Sequence, residues 1–255
     1  MSLEAILDLV LRLRIVDDAA DEEALLVALL APARPTTLAF MNAHAVNLCR
    51  ARPDTLAAFA GQDVVLRDGS GLKILLGMLG REPGLNMNGT DLIPRILERS
   101  KGRRIALWGT RDPHLAAAAE GLRAEGHDLV SVIDGFSPVD AYLEALAGAD
   151  PEVIVLAMGM PRQEQLAERL RAAGPRPRLI VSGGAIADFL GGRFSRAPAI
   201  FRRTGLEWVY RLALEPGRLA SRYLIGNVVF LLLARRLRAL AARRGDLRPG
   251  PAAAP

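Results

Sequence analysis

A chain of 255 residues that is 51% hydrophobic and 24% charged is long enough to bury one large core and has the balance of a folded globular protein, which excludes disorder except at its ends. One cysteine, Cys49, and three histidines exclude a disulfide framework, give no cluster of the kind that holds zinc, and point to a reducing compartment. The net charge of +5 is unevenly spread: residues 193–248 carry thirteen arginines, no lysine and three acids, Glu207, Glu215 and Asp246, so the remainder is mildly acidic and an evenly cationic surface is excluded in favour of one basic face for an anionic partner.

In chain order, the opening stretch MSLEAILDLVLRLRIVDDAADEE places Glu4 and Asp8 where a signal peptide would be cationic and then purely apolar, and it predicts an amphipathic helix of a cytoplasmic protein. Six short apolar or β-branched runs follow and predict strands: TTLAFMN (36–42), DVVLRD (63–68), RIALWG (104–109), LVSVID (129–134), EVIVLAMG (152–159) and RLIVSGG (178–184). Longer segments of helical periodicity separate them, including 112–126 and 162–174. Alternation of this kind predicts an α/β fold, a Rossmann-like, mostly parallel sheet with helices on both faces. The pattern stops near Phe194. A core over 1–195 is therefore expected, then a basic helical appendage over 196–244, broken at Glu215-Pro216 because proline fits a first helical turn and not a helix interior, and a disordered tail over 245–255. The longest uncharged apolar run, 223–234, is short of the about 20 residues of a membrane span.

Ligands of such sheets sit beyond the carboxyl ends of the strands, and the residues found there are polar or glycine-rich. After the first strand come Asn42 and His44. With no second histidine or carboxylate at ligand spacing, His44 reads as structural or ligand-orienting; His114 and His127 carry no assignment. After the second, Asp68 either caps a helix or presents its carboxylate to a ligand that Gly69 and Gly71 let approach. After the third, Gly109 and Thr110, before Asp112 and Pro113, either cradle a phosphate or form a plain connection, and the stretch is neither G-x-G-x-x-G nor a P-loop. After the fifth, Gly159 and Pro161 precede Arg162, Gln163 and Glu164, and Glu164 is either a first-turn acid for the helix dipole or a group of the site. After the sixth come Gly183 and Gly184. Phe201, Trp208, Tyr210 and Tyr223 are core packing for the terminal helices or an interfacial belt.

Taken together and in this order, NAHAVNL, LRDGSGLKIL, NGTDLIPRIL, ALWGTRDPHLAAAAEGL, VLAMGMPRQEQ and SGGAIADFLGGRFSRAPAIFRRTGLEWVYRLALEPGRLASRYL resemble the WecG/TagA/CpsF family of bacterial glycosyltransferases over roughly residues 36 to 230. The resemblance implies an inverting transfer of a hexosyl or N-acetylhexosaminyl group from a nucleotide sugar, usually UDP-linked, to a polyprenyl-diphosphate-linked sugar of a surface polysaccharide, without metal or cofactor. It makes Asp68 the general base. It assigns substrate contacts to Asn42, His44, Gly69, Gly71, Asn88, Asp91, Gly109, Thr110, Gly159, Pro161, Gln163, Glu164, Gly183 and Gly184. It gives the terminal segment the part of a basic appendage that meets an anionic membrane at the cytoplasmic face and closes over the active site, with Arg203, Arg211, Arg218 and Arg222 on the acceptor diphosphate. Where family members often carry threonine two residues before Asn42, this chain has Phe40. Two other readings stand beside it: a transferase with a soluble acceptor, and a nucleic-acid-binding module built on the arginine-rich terminus. The uncharged stretch Leu224 to Ala234 counts against the second, because a surface that tracks phosphates has no use for it. Apolar surface on the terminal helices would favour homo-oligomers where no membrane is present.

Overall fold

The computed structural model describes residues 2–194, 197, 198, 201 and 207–247. Two helices come first, α1 (Leu3–Leu11) and α2 (Ala19–Leu30), each started by a side-chain cap: Ser2 accepts from the Glu4 N–H, and Asp18 from the N–H groups of Ala20 and Asp21. Strands and helices then alternate as β1 (Thr36–Met41), α3 (Ala43–Ala51), α4 (Pro53–Ala60), β2 (Val64–Arg67), α5 (Gly69–Met78), α6 (Gly89–Arg99), β3 (Arg104–Gly109), α7 (His114–Ala124), β4 (Asp128–Asp134), α8 (Val139–Ala149), β5 (Val153–Ala157), α9 (Arg162–Ala172), β6 (Leu179–Ser182) and α10 (Ile186–Leu190). The terminal segment supplies α11 (Glu207–Leu214), α12 (Pro216–Ala220), a π-helical turn (Ser221–Ile225) and α13 (Gly226–Arg244).

All six predicted strands form, and they pair in parallel throughout in the order β2-β1-β6-β5-β3-β4. Side chains leave a strand alternately to its two faces, and both faces are covered, so successive residues enter different cores. In β1, Leu38 and Phe40 join the core under α2, α6, α7 and α10, while Ala39 and Met41 join the one under α1, α3, α4, α5 and α13. In β5, Val153 and Val155 face the first core and Ile154 and Leu156 a third, closed by α8 and α9. Burial on both sides explains why these strands read as unbroken apolar runs.

The helix break at Glu215-Pro216 falls where expected, with Pro216 in the first turn of α12. The terminal segment is fastened to the core along α13: Phe230, Leu233, Ala234, Leu237 and Ala241, at helical spacing, are buried against α1, α3 and α5. Two polar ties add to this, Asn47 Nδ2 donating to the Gly226 carbonyl at 2.7 Å and Arg244 pairing with Asp8 at 2.7 Å. Of the expected tail, Leu247 packs on the same core, and residues 248–255 lie outside the described residues.

Candidate active site

A cavity of about 940 Å3 opens at the carboxyl ends of β1, β2, β3, β5 and β6, toward the upper end of the roughly 300–1,000 Å3 usual for small-molecule sites. Of the residues expected at the site, Asn42, His44, Asp68, Gly69, Gly71, Asn88, Thr110, Gly159, Gln163, Gly183, Gly184 and Arg222 line it, and Asp91, Gly109, Pro161 and Glu164 do not.

The pairing of β1 with β2 sets Met41 opposite Arg67, so the residues that follow, Asn42 and Asp68, meet at the cavity wall. Asn42 caps α3 by accepting from the Ala45 N–H at 3.1 Å. That fixes its amide, and Nδ2 donates to Asp68 Oδ2 at 3.2 Å. Asp68 is the N-cap residue just before α5 but makes no side-chain capping bond; it lines the cavity. Behind it, buried Arg67 donates to the carbonyls of Gly69, Pro83 and Gly84, which pins the segment 83–86 beside β2. Asn86 Oδ1 then accepts from the Gly69 N–H at 2.7 Å. Gly71 serves packing as well, since a Cβ there would lie 2.8 Å from Ala43 Cβ and 3.3 Å from the Phe230 ring.

Asn88 and Asp91 form a reciprocal cap at the start of α6, the Asn88 Oδ1 accepting from the Asp91 N–H at 2.9 Å and its Nδ2 donating to Asp91 Oδ2 at 2.8 Å. Asp91 thus orients Asn88 from outside the cavity. Gly109 is a strand-packing residue: any Cβ would collide with the Ala157 backbone. Thr110 adopts a left-handed φ of 34°, a strained conformation for a β-branched residue. It is held by N–H to Ala157 O, by the Gly135 N–H on its own carbonyl, and by Oγ1 donating to Asp188 Oδ1 at 2.7 Å.

On α9, Gln163 reaches the cavity and its neighbour does not. Gln163 Oε1 accepts from the N–H groups of Gly159 and Gly184, and its Nε2 donates to Glu164 Oε1. Glu164 is fully buried, and burial pushes its pKa up to about 7. His44 is half-buried beside Arg222; burial first, then that positive charge, brings its pKa down to about 4, so the imidazole is neutral at neutral pH. Arg222 and Tyr223 enter the cavity from the π-helical turn, and Tyr223 packs against Trp208 with ring centroids 5.7 Å apart and planes tilted by 52°. Arg203 lies outside the described residues, as do the side chains of Arg211 and Arg218 on α11 and α12.

Several lining residues were given no role from the sequence, although Arg111 and Asp188 fall in the stretches after the third and sixth strands. Asn86 sits in a connecting loop. Asp188 binds both Thr110 and Arg193 Nη1, the latter at 3.3 Å. Arg111 stacks over Phe136 at 4.1 Å, and Phe136, 62% exposed, follows β4 just as the predicted residues follow their strands; that position was its signal. Beside the mouth, Leu224, Ile225, Val228, Val229, Leu231 and Leu232 are exposed, and exposed Arg235, Arg236, Arg238 and Arg243 continue along α13. Among the described residues no helix is long and apolar enough to cross a membrane, and no three His, Cys, Asp or Glu side chains group as metal ligands.

An all-parallel α/β sheet whose strand ends surround a cleft lined by a carboxylate, a neutral imidazole and a guanidinium defines a Rossmann-like protein with the place for a small-molecule ligand at the carboxyl edge of its sheet. The chain belongs to the glycosyl transferase WecG/TagA/CpsF family, whose model matches residues 10–244. It is also similar to the N-acetylglucosaminyldiphosphoundecaprenol N-acetyl-beta-D-mannosaminyltransferase of Bacillus spizizenii, 27% identical over 167 residues, which are 64% of this chain. The chain spans 65% of that relative's own length.

Proposed function

We propose that the protein is an inverting glycosyltransferase that moves a sugar from a UDP-linked donor to a polyprenyl-diphosphate-linked sugar, at the inner face of the cytoplasmic membrane and in the assembly of a surface polysaccharide. Family membership supports the reaction class, and the relative, whose name describes an acceptor of the form N-acetylglucosaminyl-diphospho-undecaprenol, supports the acceptor class. The observation that carries the assignment is the Asp68 carboxylate on the cavity wall, turned from its capping role and held by Asn42.

In this reading the acceptor hydroxyl oxygen attacks the anomeric carbon from the face opposite the nucleotide. Its proton passes to Asp68, the new glycosidic C–O bond forms, and the bond to the diphosphate breaks with its electron pair leaving on the nucleotide. Arg222, which the resemblance puts on the acceptor diphosphate, lines the same cavity and in this reading turns instead to the nucleotide's diphosphate, where it stabilises the charge that develops as the bond breaks; chelators should leave the rate unchanged. The exposed apolar residues of 224–232 and the arginines beyond them rest on the anionic leaflet. The test is a transfer assay read by mass spectrometry, with a polyprenyl-diphosphate-sugar analogue and a panel of nucleotide sugars. Asp68→Asn should lower kcat at least about a hundredfold with donor KM little changed; near-wild-type turnover would remove Asp68 as the base.

A further inference from the structure

Gln163 joins two loops with one atom. Its Oε1 accepts from the Gly159 N–H at 3.1 Å, in the loop after β5, and from the Gly184 N–H at 2.9 Å, in the loop after β6. Both glycines have left-handed φ, 80° and 63°, and both line the cavity. These amides are therefore committed to holding the wall together. The tie works in one orientation only, because an amide turned half a revolution would present Nε2 donors to two N–H donors.

Glu164 sets that orientation. Its Oε1 accepts from Gln163 Nε2 at 2.7 Å, and its Oε2 has no hydrogen-bond partner among the described residues. The Glu164 main chain is anchored separately, its carbonyl accepting from Gln62 Nε2 at 3.1 Å. Among the described residues, the one side chain that this fully buried carboxyl bonds is thus its neighbour's amide. A carboxyl group is costly to bury, and a leucine would fill the same space between α9, α4 and the sheet without that cost. We infer that Glu164 is a positioning residue of the donor-side wall: its carboxyl fixes the Gln163 amide, and that amide holds the Gly159 and Gly184 loops. The inference rests on reading the cavity as the nucleotide-sugar site.

Amide hydrogen exchange on the full-length chain tests the tie without any ligand, and titration with UDP tests its bearing on the donor. Glu164→Leu should raise exchange at Gly159 and Gly184 at least tenfold, leave the strand amides of Val155 and Val181 protected, and weaken UDP binding about tenfold, the usual scale for an orienting partner lost behind a binding site. Glu164→Gln, whose amide oxygen can still accept from Gln163 Nε2, should restore both. Glu164→Asp keeps the carboxyl but withdraws it by one methylene and should behave like the leucine variant; it carries the test if Glu164→Leu does not fold. Unchanged exchange at the two glycines, or a Glu164→Gln no better than Glu164→Leu, overturns the inference. Faster exchange with unaltered UDP affinity overturns its donor-side part. If wild-type protein binds no UDP, the donor reading falls instead, and the exchange data alone decide the positioning role.

Discussion

Half-buried His44 and fully buried Glu164 are both groups whose ionised forms are disfavoured, and they act on stability with opposite signs. The folded Glu164, at about 7 against an ordinary 4.5, keeps a proton that the unfolded chain has lost, so its contribution falls as pH rises from 4.5 through 7, by a total of the order of 3 kcal/mol. The folded His44, at about 4 against 6.5, refuses a proton that the unfolded chain takes up, so its contribution is full above 6.5 and is lost as pH falls toward 4. Between 4.5 and 6.5 the two offset each other. Glu164→Gln should therefore gain on the wild type from pH 5 through 7 and level off above it in urea denaturation, and His44→Asn should gain on it as pH drops below 6.5. A pH-independent difference for either variant would refute the corresponding assignment. At this scale the sequence was informative wherever a residue follows a strand, which is why Asn42, Asp68 and Thr110 could be placed at the cavity edge. It could not separate Gln163 from Glu164, because adjacent helical residues point about 100° apart and only the packing of α9 decides which one enters the cavity. Nor could it show that Asp91 and Gly109 serve the site from outside.

Among the elements, α13 has two faces with different work. Leu237 is fully buried and Leu233 nearly so, while Val228 and Leu232 stand 57% and 53% exposed. Truncating a buried leucine leaves a cavity, so Leu237→Ala should cost about 2–5 kcal/mol in chemical denaturation. Val228→Ser with Leu232→Ser should stay within about 0.5 kcal/mol per site and yet reduce flotation with anionic vesicles, since the apolar face is then removed from the interface. Equal effects of both sets on stability would mean that the outer face is covered by protein. The strands were legible because a sheet buried on both sides leaves short, continuous apolar runs. Their order was not, because β6 sits between β1 and β5 through pairings more than a hundred residues apart for β1, which no local pattern encodes. The π-helical turn was equally hidden: SRYLI reads as continuous helix, and the turn arises where Asn47 holds the Gly226 carbonyl and Arg222 and Tyr223 swing into the cleft.

For the molecule as a whole, Trp208, Arg222 and Tyr223 of the basic terminal quarter line the cleft while α13 completes the core behind it, so the same segment serves the cavity and the fold. The sequence separated a core from an appendage by charge and by the end of the βα alternation, and charge patterning says nothing about which apolar residues of a basic helix are inside. A chain ending at Phe194 would uncover the neighbours of Phe230, Leu233 and Leu237, among them Ile6, Val46, Leu72 and Leu75, an apolar surface on the flank of the sheet with nothing to cover it. We expect such a chain to lose its cooperative thermal transition or to melt far below the full-length protein, and to bind a hydrophobic dye at temperatures where the full-length protein does not. Loss of transfer on truncation would then report unfolding and not the absence of arginines. Arg222→Gln isolates the charge, because it leaves α13 in place: kcat should fall about a hundredfold, the scale for a lost transition-state charge contact, with the thermal midpoint within a few degrees of wild type. If instead the truncated chain melts like the full-length protein, α13 does not complete the core, and the deletion becomes a clean measure of what the arginine segment contributes to the reaction.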